Sequence, residues 1–141
     1  MKSRMLAVCL VSAAMLFAAV PAISAPGGWA GSNSASVTMY LTPVTAATSV
    51  TPGLGIGLTG KVTNGADRKA RYTYKLWSMS SCGQKVDIMS GRMTFGPNEA
   101  IIWSTSHTIP DNTCTGPWEA TIQFSDNSGV LATASTTTTV Q

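Results

Sequence analysis

Cys82 sits in the stretch Trp77-Ser-Met-Ser-Ser-Cys82-Gly-Gln-Lys85, where a thiol could act as a nucleophile, a metal ligand or half of a disulfide. The 141-residue chain holds two other cysteines, Cys9 and Cys114, and a single histidine, His107. A structural zinc site takes four ligands, which these residues do not supply. A redox pair uses close spacing such as C-x-x-C, and no two cysteines here are so placed. His107 is the one candidate base, in Ser104-Thr-Ser-His107-Thr-Ile-Pro-Asp111, but serine is so frequent in this chain that a serine–histidine–aspartate set can be drawn by coincidence. Asp87, Glu99, Asp111, Glu119 and Asp126 show neither the pairing of a glycosidase nor a calcium-loop pattern. Lys61 or Lys75 with Asn64 or Asn98 could form an isopeptide crosslink; solvated lysines are the simpler reading. The residue types therefore point to no catalytic, metal or cofactor site.

The N-terminus changes the cysteine and charge arguments. Lys2 and Arg4 precede an apolar run from Met5 to Val20, and Pro21-Ala-Ile-Ser-Ala25 follows. Basic, apolar and small residues in that order read as a signal peptide, with Ser24 favoured over Ala25 as the last residue removed and an uncleaved anchor as the alternative. The apolar run of about 16 residues is shorter than the roughly 20 a membrane span needs, so no membrane insertion is expected once it is removed. Cleavage removes Cys9 and leaves Cys82 and Cys114. Two cysteines in an exported chain point to a disulfide, with free or intermolecular thiols as the alternative. Nine Lys and Arg stand against six Asp and Glu in the whole chain. Without Lys2 and Arg4 the balance is seven against six, a formal +1. That excludes the strongly basic footprint of a nucleic-acid binder. The remaining cations gather between Lys61 and Arg92. They read as a solvated face, with an anionic-ligand surface as the sharper alternative.

The elements that must position these residues have a period of two. After a Gly- and Ser-rich lead-in, residues 25–35, apolar and polar residues alternate over 36–42, 54–64, 70–79, 85–95, 100–106, 117–125 and 130–140. Thr51-Pro52-Gly53, Asn64-Gly65-Ala66-Asp67, Gly96-Pro97-Asn98-Glu99 and Asp126-Asn127-Ser128-Gly129 carry turn chemistry between the runs. About seven to eight short strands at this spacing predict an all-β fold, an immunoglobulin-like antiparallel β-sandwich over residues 36–141. The roughly 117 residues left after cleavage bury about two-thirds of their unfolded surface, enough for one core.

In such a sandwich the third and sixth strands are antiparallel neighbours. Cys82 lies just past the third and Cys114 just before the sixth, so the two meet at one end. The bridge closes a loop of about 33 residues, worth at most about 3.7 kcal/mol on the chain-entropy estimate. On the sixth strand Trp118, Ala120, Ile122 and Phe124 share one face, and Glu119, Thr121 and Gln123 the other. Trp77, Trp103 and Trp118 are core candidates. Yet Trp77 is out of phase with Tyr72, Tyr74 and Leu76, so one of these sets faces outward. Arg71, Lys75 and Trp77 together form the candidate binding surface.

Several of these stretches resemble bacterial immunoglobulin-like domains, especially the adhesion-related CARDB type. The carriers are Val50-x-Pro52-Gly53, Lys61-Val-Thr-Asn64-Gly65, Phe95-Gly-Pro97-Asn-Glu99 and Ile109-Pro110, within a match over residues 36–140. The chain lacks the longer acidic region often found in that family after the sixth strand. The resemblance implies the sandwich fold and a binding or spacer role outside the cytoplasm, and it implies no catalytic residues. The expected protein is therefore a secreted or periplasmic, non-catalytic module. It binds a protein or glycan surface in the cell envelope or outside the cell, and needs no cofactor. The alternative is a structural, pilus-type subunit that assembles by strand pairing.

Overall fold

A computed structural model describes residues 34–42 and 48–141. The expected signal peptide, 1–24, and the lead-in as far as residue 33 lie outside the described residues. Seven strands follow: β1 (Ala35–Thr42), β2 (Gly55–Asn64), β3 (Ala70–Ser80), β4 (Lys85–Phe95), β5 (Ala100–Thr108), β6 (Gly116–Asp126) and β7 (Gly129–Val140). They form two antiparallel sheets with strand orders β1-β2-β5 and β4-β3-β6-β7. The strand ends fall within two residues of those read from alternation. β1 begins at Ala35, the last residue assigned to the lead-in.

The alternation exists because each sheet turns one face toward the other. β6 is the clearest case: Trp118, Ala120, Ile122 and Phe124 are all buried, while the residues between them are half-buried or exposed. Tyr72, Leu76 and Phe95 meet this row from β3 and β4, and Ile56, Leu58 and Val62 from β2. Burying a side chain such as Ile122 completely is worth about 1.5–3 kcal/mol. Gly60 shows how tight the packing is. A Cβ there would come 2.4 Å from the Trp103 ring and 2.6 Å from the Thr38 carbonyl oxygen. Glycine at this buried register position is what lets the indole approach the β2 backbone so closely.

Two features join the sheets at their margins. Residue Val50 runs parallel to β7, its N–H donating to Thr139 O at 2.8 Å and its carbonyl accepting from Gln141 N at 2.9 Å. That bridge covers part of β7's free edge. At the opposite end lies Asn64, fully buried at the last position of β2. Its Nδ2 donates to the carbonyls of Arg68 and Gly96, both at 2.8 Å. Its Oδ1 accepts from Ala66 N at 3.1 Å and lies 2.6 Å from the Tyr72 hydroxyl. One amide thus satisfies the backbone of two turns and contacts a core tyrosine.

Candidate binding face

The outer face of the four-stranded sheet is built by register. On β3 the outward residues are Arg71, Thr73, Lys75, Trp77 and Met79, in antiphase to buried Tyr72, Leu76 and Ser78. Trp77 therefore does not join Trp103 and Trp118 in the core. Alternation forces this outcome, because Leu76 before it and Ser78 after it point inward. Arg71 and Lys75 are exposed and Trp77 half-buried, so the three residues named from sequence share one face. Across from them, Arg71 pairs with Thr94, Thr73 with Arg92, Lys75 with Ser90, Trp77 with Asp87 and Met79 with Lys85. On the β6 side, Thr73 pairs with Ser125, Lys75 with Gln123, Trp77 with Thr121 and Met79 with Glu119.

Arg92 and Lys85 join this face through a feature that periodicity does not reveal. The pairing of β3 with β4 shifts between Leu76 and Trp77, leaving Ile88 as an extra residue in β4. The bulge switches the phase of β4. Lys85 and Asp87 point outward at odd numbers, and Ser90, Arg92 and Thr94 at even ones. Without it, Lys85 and Arg92 would lie on opposite faces.

The face is electrically uneven. Arg71, Arg92 and Lys75 occupy one half, among the hydroxyls of Thr73, Ser90, Thr94 and Ser125 and the Gln123 amide. Arg71 Nε reaches Thr94 Oγ1 at 3.5 Å. The other half is mixed. Lys85 Nζ lies 5.1 Å from the centre of the Trp77 ring and 3.8 Å from Asp87 Oδ1, and Glu119 pairs with Met79 nearby. An exposed ion pair of this kind contributes about 0–1 kcal/mol. The Lys85–indole contact adds about 0.5–1 kcal/mol, so the lysine can be displaced from the ring at small cost.

The other candidates fall away from this face. Cys82 and Cys114 form a disulfide with Cα atoms 6.1 Å apart, tying the β3–β4 turn to the segment entering β6. His107 stacks on buried Trp118, ring centres 5.9 Å apart and planes 16° from parallel. Its Nε2 is buried without a hydrogen-bond partner, and burial lowers its pKa below the usual histidine value. The imidazole is a packing element with no acid–base partner on its buried nitrogen. Lys61 and Lys75 lie exposed on outer faces, while Asn64 is buried with its amide fully engaged. The Asn64 amide is thus taken up by hydrogen bonds rather than offered to a lysine. Among the described residues no group of three or more His, Cys, Asp and Glu could hold a metal ion. No helix among them is long and apolar enough to cross a membrane.

No protein-family model and no curated protein matches the chain. Solved structures do. The crystal structure of the CARDB domain of the PF1109 protein from Pyrococcus furiosus, in complex with di-metal ions, matches with a TM-score of 0.59. It is 12% identical, with 77% of this chain and 89% of that one covered. A Niemann-Pick type C2 protein from the Japanese carpenter ant matches with a TM-score of 0.55 at 10% identity, over 79% of this chain and 96% of that one. A β-glucosidase from Listeria innocua, in complex with laminaribiose, matches with a TM-score of 0.55 at 10% identity. There 77% of this chain corresponds to only 16% of the enzyme. At 10–12% identity these matches are likenesses of fold alone. The strand order, the sheet pairing and these likenesses together show that the chain folds as an immunoglobulin-like β-sandwich, similar in fold to the CARDB domain of PF1109.

Proposed function

We propose that this protein is an exported, non-catalytic binding module that engages a protein or glycan surface in the cell envelope or outside the cell. It does so through the outer face of the β4-β3-β6-β7 sheet. The observation that carries the reading is the gathering of Arg71, Lys75 and Trp77 on one face, with Arg92 and Lys85 added by the β4 bulge. Export is supported by the basic–apolar–small order of the first 25 residues and by the Cys82–Cys114 disulfide, which persists in oxidising compartments. A non-catalytic role is supported by His107, which stacks on Trp118 and whose buried Nε2 faces no acid–base partner. The CARDB domain of PF1109 matches over nine-tenths of its length in both its crystal and its solution structure, whereas the β-glucosidases align over a sixth of theirs.

The strand-pairing alternative draws less support. β7 occupies its own place beside β6, and Val50 bridges its other edge, so the sandwich does not need a donated strand. The test is binding of the exported protein to immobilised glycans and envelope proteins, with Trp77→Ala alongside. Specific retention of the native chain, lost in folded Trp77→Ala, is the expected result. Retention that Trp77→Ala leaves unchanged removes this face from consideration.

A further inference from the structure

We infer that the partner of this face is an anionic glycan, a linear chain of uronate- or sulfate-bearing sugars lying along the β3–β4 ribbon; the inference rests on the binding role proposed above. Outside the N-terminal 24 residues the chain has seven cations: Lys61, Arg68, Lys69, Arg71, Lys75, Lys85 and Arg92. Register places four of them, Arg71, Arg92, Lys75 and Lys85, on the outer face of two neighbouring strands. Lys61, on β2, is the one cation in a strand of the other sheet.

Arg71, Arg92 and Lys75 make a zigzag. Arg92 lies opposite Thr73, on the diagonal to both Arg71 and Lys75. Diagonal neighbours on a sheet lie about 7–8 Å apart, within reach of long side chains. No carboxylate occupies the paired positions around them, which hold Thr94, Ser90, Ser125 and Gln123. Like charges at such spacing repel, so this half of the face is more stable when an anion lies between them.

The shape of the cationic set selects the class of anion. Outward levels along the ribbon are about 6.7 Å apart: Arg71, Arg92 and Lys75 fill three successive ones, the next holds Trp77 and Asp87, and Lys85 stands at the one beyond, about 27 Å from Arg71. A compact anion meets one or two of these groups; an extended polymer meets all of them. The hydroxyls and amide between the cations suit sugar hydroxyls. The Trp77 indole offers a sugar ring a platform once Lys85 swings aside. Phosphate in nucleic acid shares the charge, but the hydroxyl-rich surroundings and export favour the glycan.

The experiment measures binding of the exported protein to polygalacturonate, neutral dextran and duplex DNA. Salt is varied from about 0.01 M to about 1 M, which shortens the screening length from about 30 Å to about 3 Å. The expected result is binding to polygalacturonate, none to dextran, weaker binding to DNA, and a loss of affinity of about tenfold or more with salt. Arg92→Glu and Lys75→Glu should each weaken polygalacturonate binding about tenfold, and Lys61→Glu, the same charge change on the opposite sheet, should leave it unchanged. Equal losses from Arg92→Glu and Lys61→Glu overturn the inference, because net charge alone would then explain the binding. DNA bound as tightly as polygalacturonate overturns the glycan assignment. Salt-indifferent binding to dextran that Trp77→Ala abolishes overturns the anionic class while leaving the binding face standing. Binding that no variant on the face alters overturns both.

Discussion

The Tyr72 hydroxyl lies 2.6 Å from Asn64 Oδ1, a side-chain contact between the third residue of β3 and the last residue of β2, with both residues fully buried. The same hydroxyl lies 3.0 Å from the Ser34 carbonyl oxygen, so its one hydrogen serves one acceptor at a time. Burial raises the Tyr72 pKa, with the Asp126 charge adding to the effect and Arg68 opposing it. Asn64 also carries the Arg68 and Gly96 carbonyls and the Ala66 amide, so Asn64→Ala leaves several buried or half-buried groups unpaired. Each costs about 1–3 kcal/mol, and the loss should exceed about 3 kcal/mol in urea unfolding. Tyr72→Phe removes one hydroxyl and should cost about 1–2 kcal/mol. A loss under about 0.5 kcal/mol for Asn64→Ala would show that water replaces the amide freely.

The disulfide is a staple on a core that already holds. Cys114→Ser should lower stability by a few kcal/mol, at most about 3.7, and leave a cooperative unfolding transition, because the bridge lies at one end of the sandwich. Thiol titration of the native, non-reduced protein should find neither Cys82 nor Cys114 free. Complete unfolding of Cys114→Ser at room temperature would mean that the core contributes far less than its burial implies.

The two faces of β6 should respond differently to truncation. Ile122→Ala removes a fully buried side chain and should cost about 2–5 kcal/mol through lost burial and the cavity left behind. Thr121→Ala, on the outer face, should cost about 0.5 kcal/mol or less. Equal, large losses at the two positions would indicate that a neighbouring chain covers the outer face in solution. The strand-pairing alternative would then gain.

His107 should make stability depend on pH in one direction. Its folded pKa is depressed by burial, so the neutral form is favoured in the native state. Above the unfolded value, about 6.5, both states are neutral and no penalty arises. As pH falls through that value and on through the lower folded one, the unfolded chain takes up a proton that the native state resists, and stability falls. His107→Gln should flatten the stability profile below about pH 6.5, measured by denaturant unfolding at stepped pH. An unchanged slope in that variant would assign the pH dependence to carboxylates instead.

Much of this protein follows from local pattern. The period of two over β1 to β7, the turn residues between strands and the phase of Trp118-x-Ala120-x-Ile122-x-Phe124 are properties of neighbouring residues, so the sandwich and its inward rows can be read from the chain alone. The meeting of Cys82 with Cys114 follows once the third and sixth strands are taken as antiparallel neighbours. Other features needed the packed structure. The β4 bulge at Ile88 leaves no mark in composition, because it arises from how β4 pairs with β3. It alone decides that Arg92 and Lys85 share a face with Arg71, Lys75 and Trp77. Asn64 reads as an ordinary turn residue, yet it is buried beneath two turns and beside Tyr72, because those turns fold onto it from 4 and 32 residues away. Trp77 shows the boundary between the two kinds of knowledge. Its antiphase to Tyr72 and Leu76 was visible in the chain, but which set faced the core depended on where the second sheet packed. That choice is made by long-range burial, which no window of neighbouring residues contains.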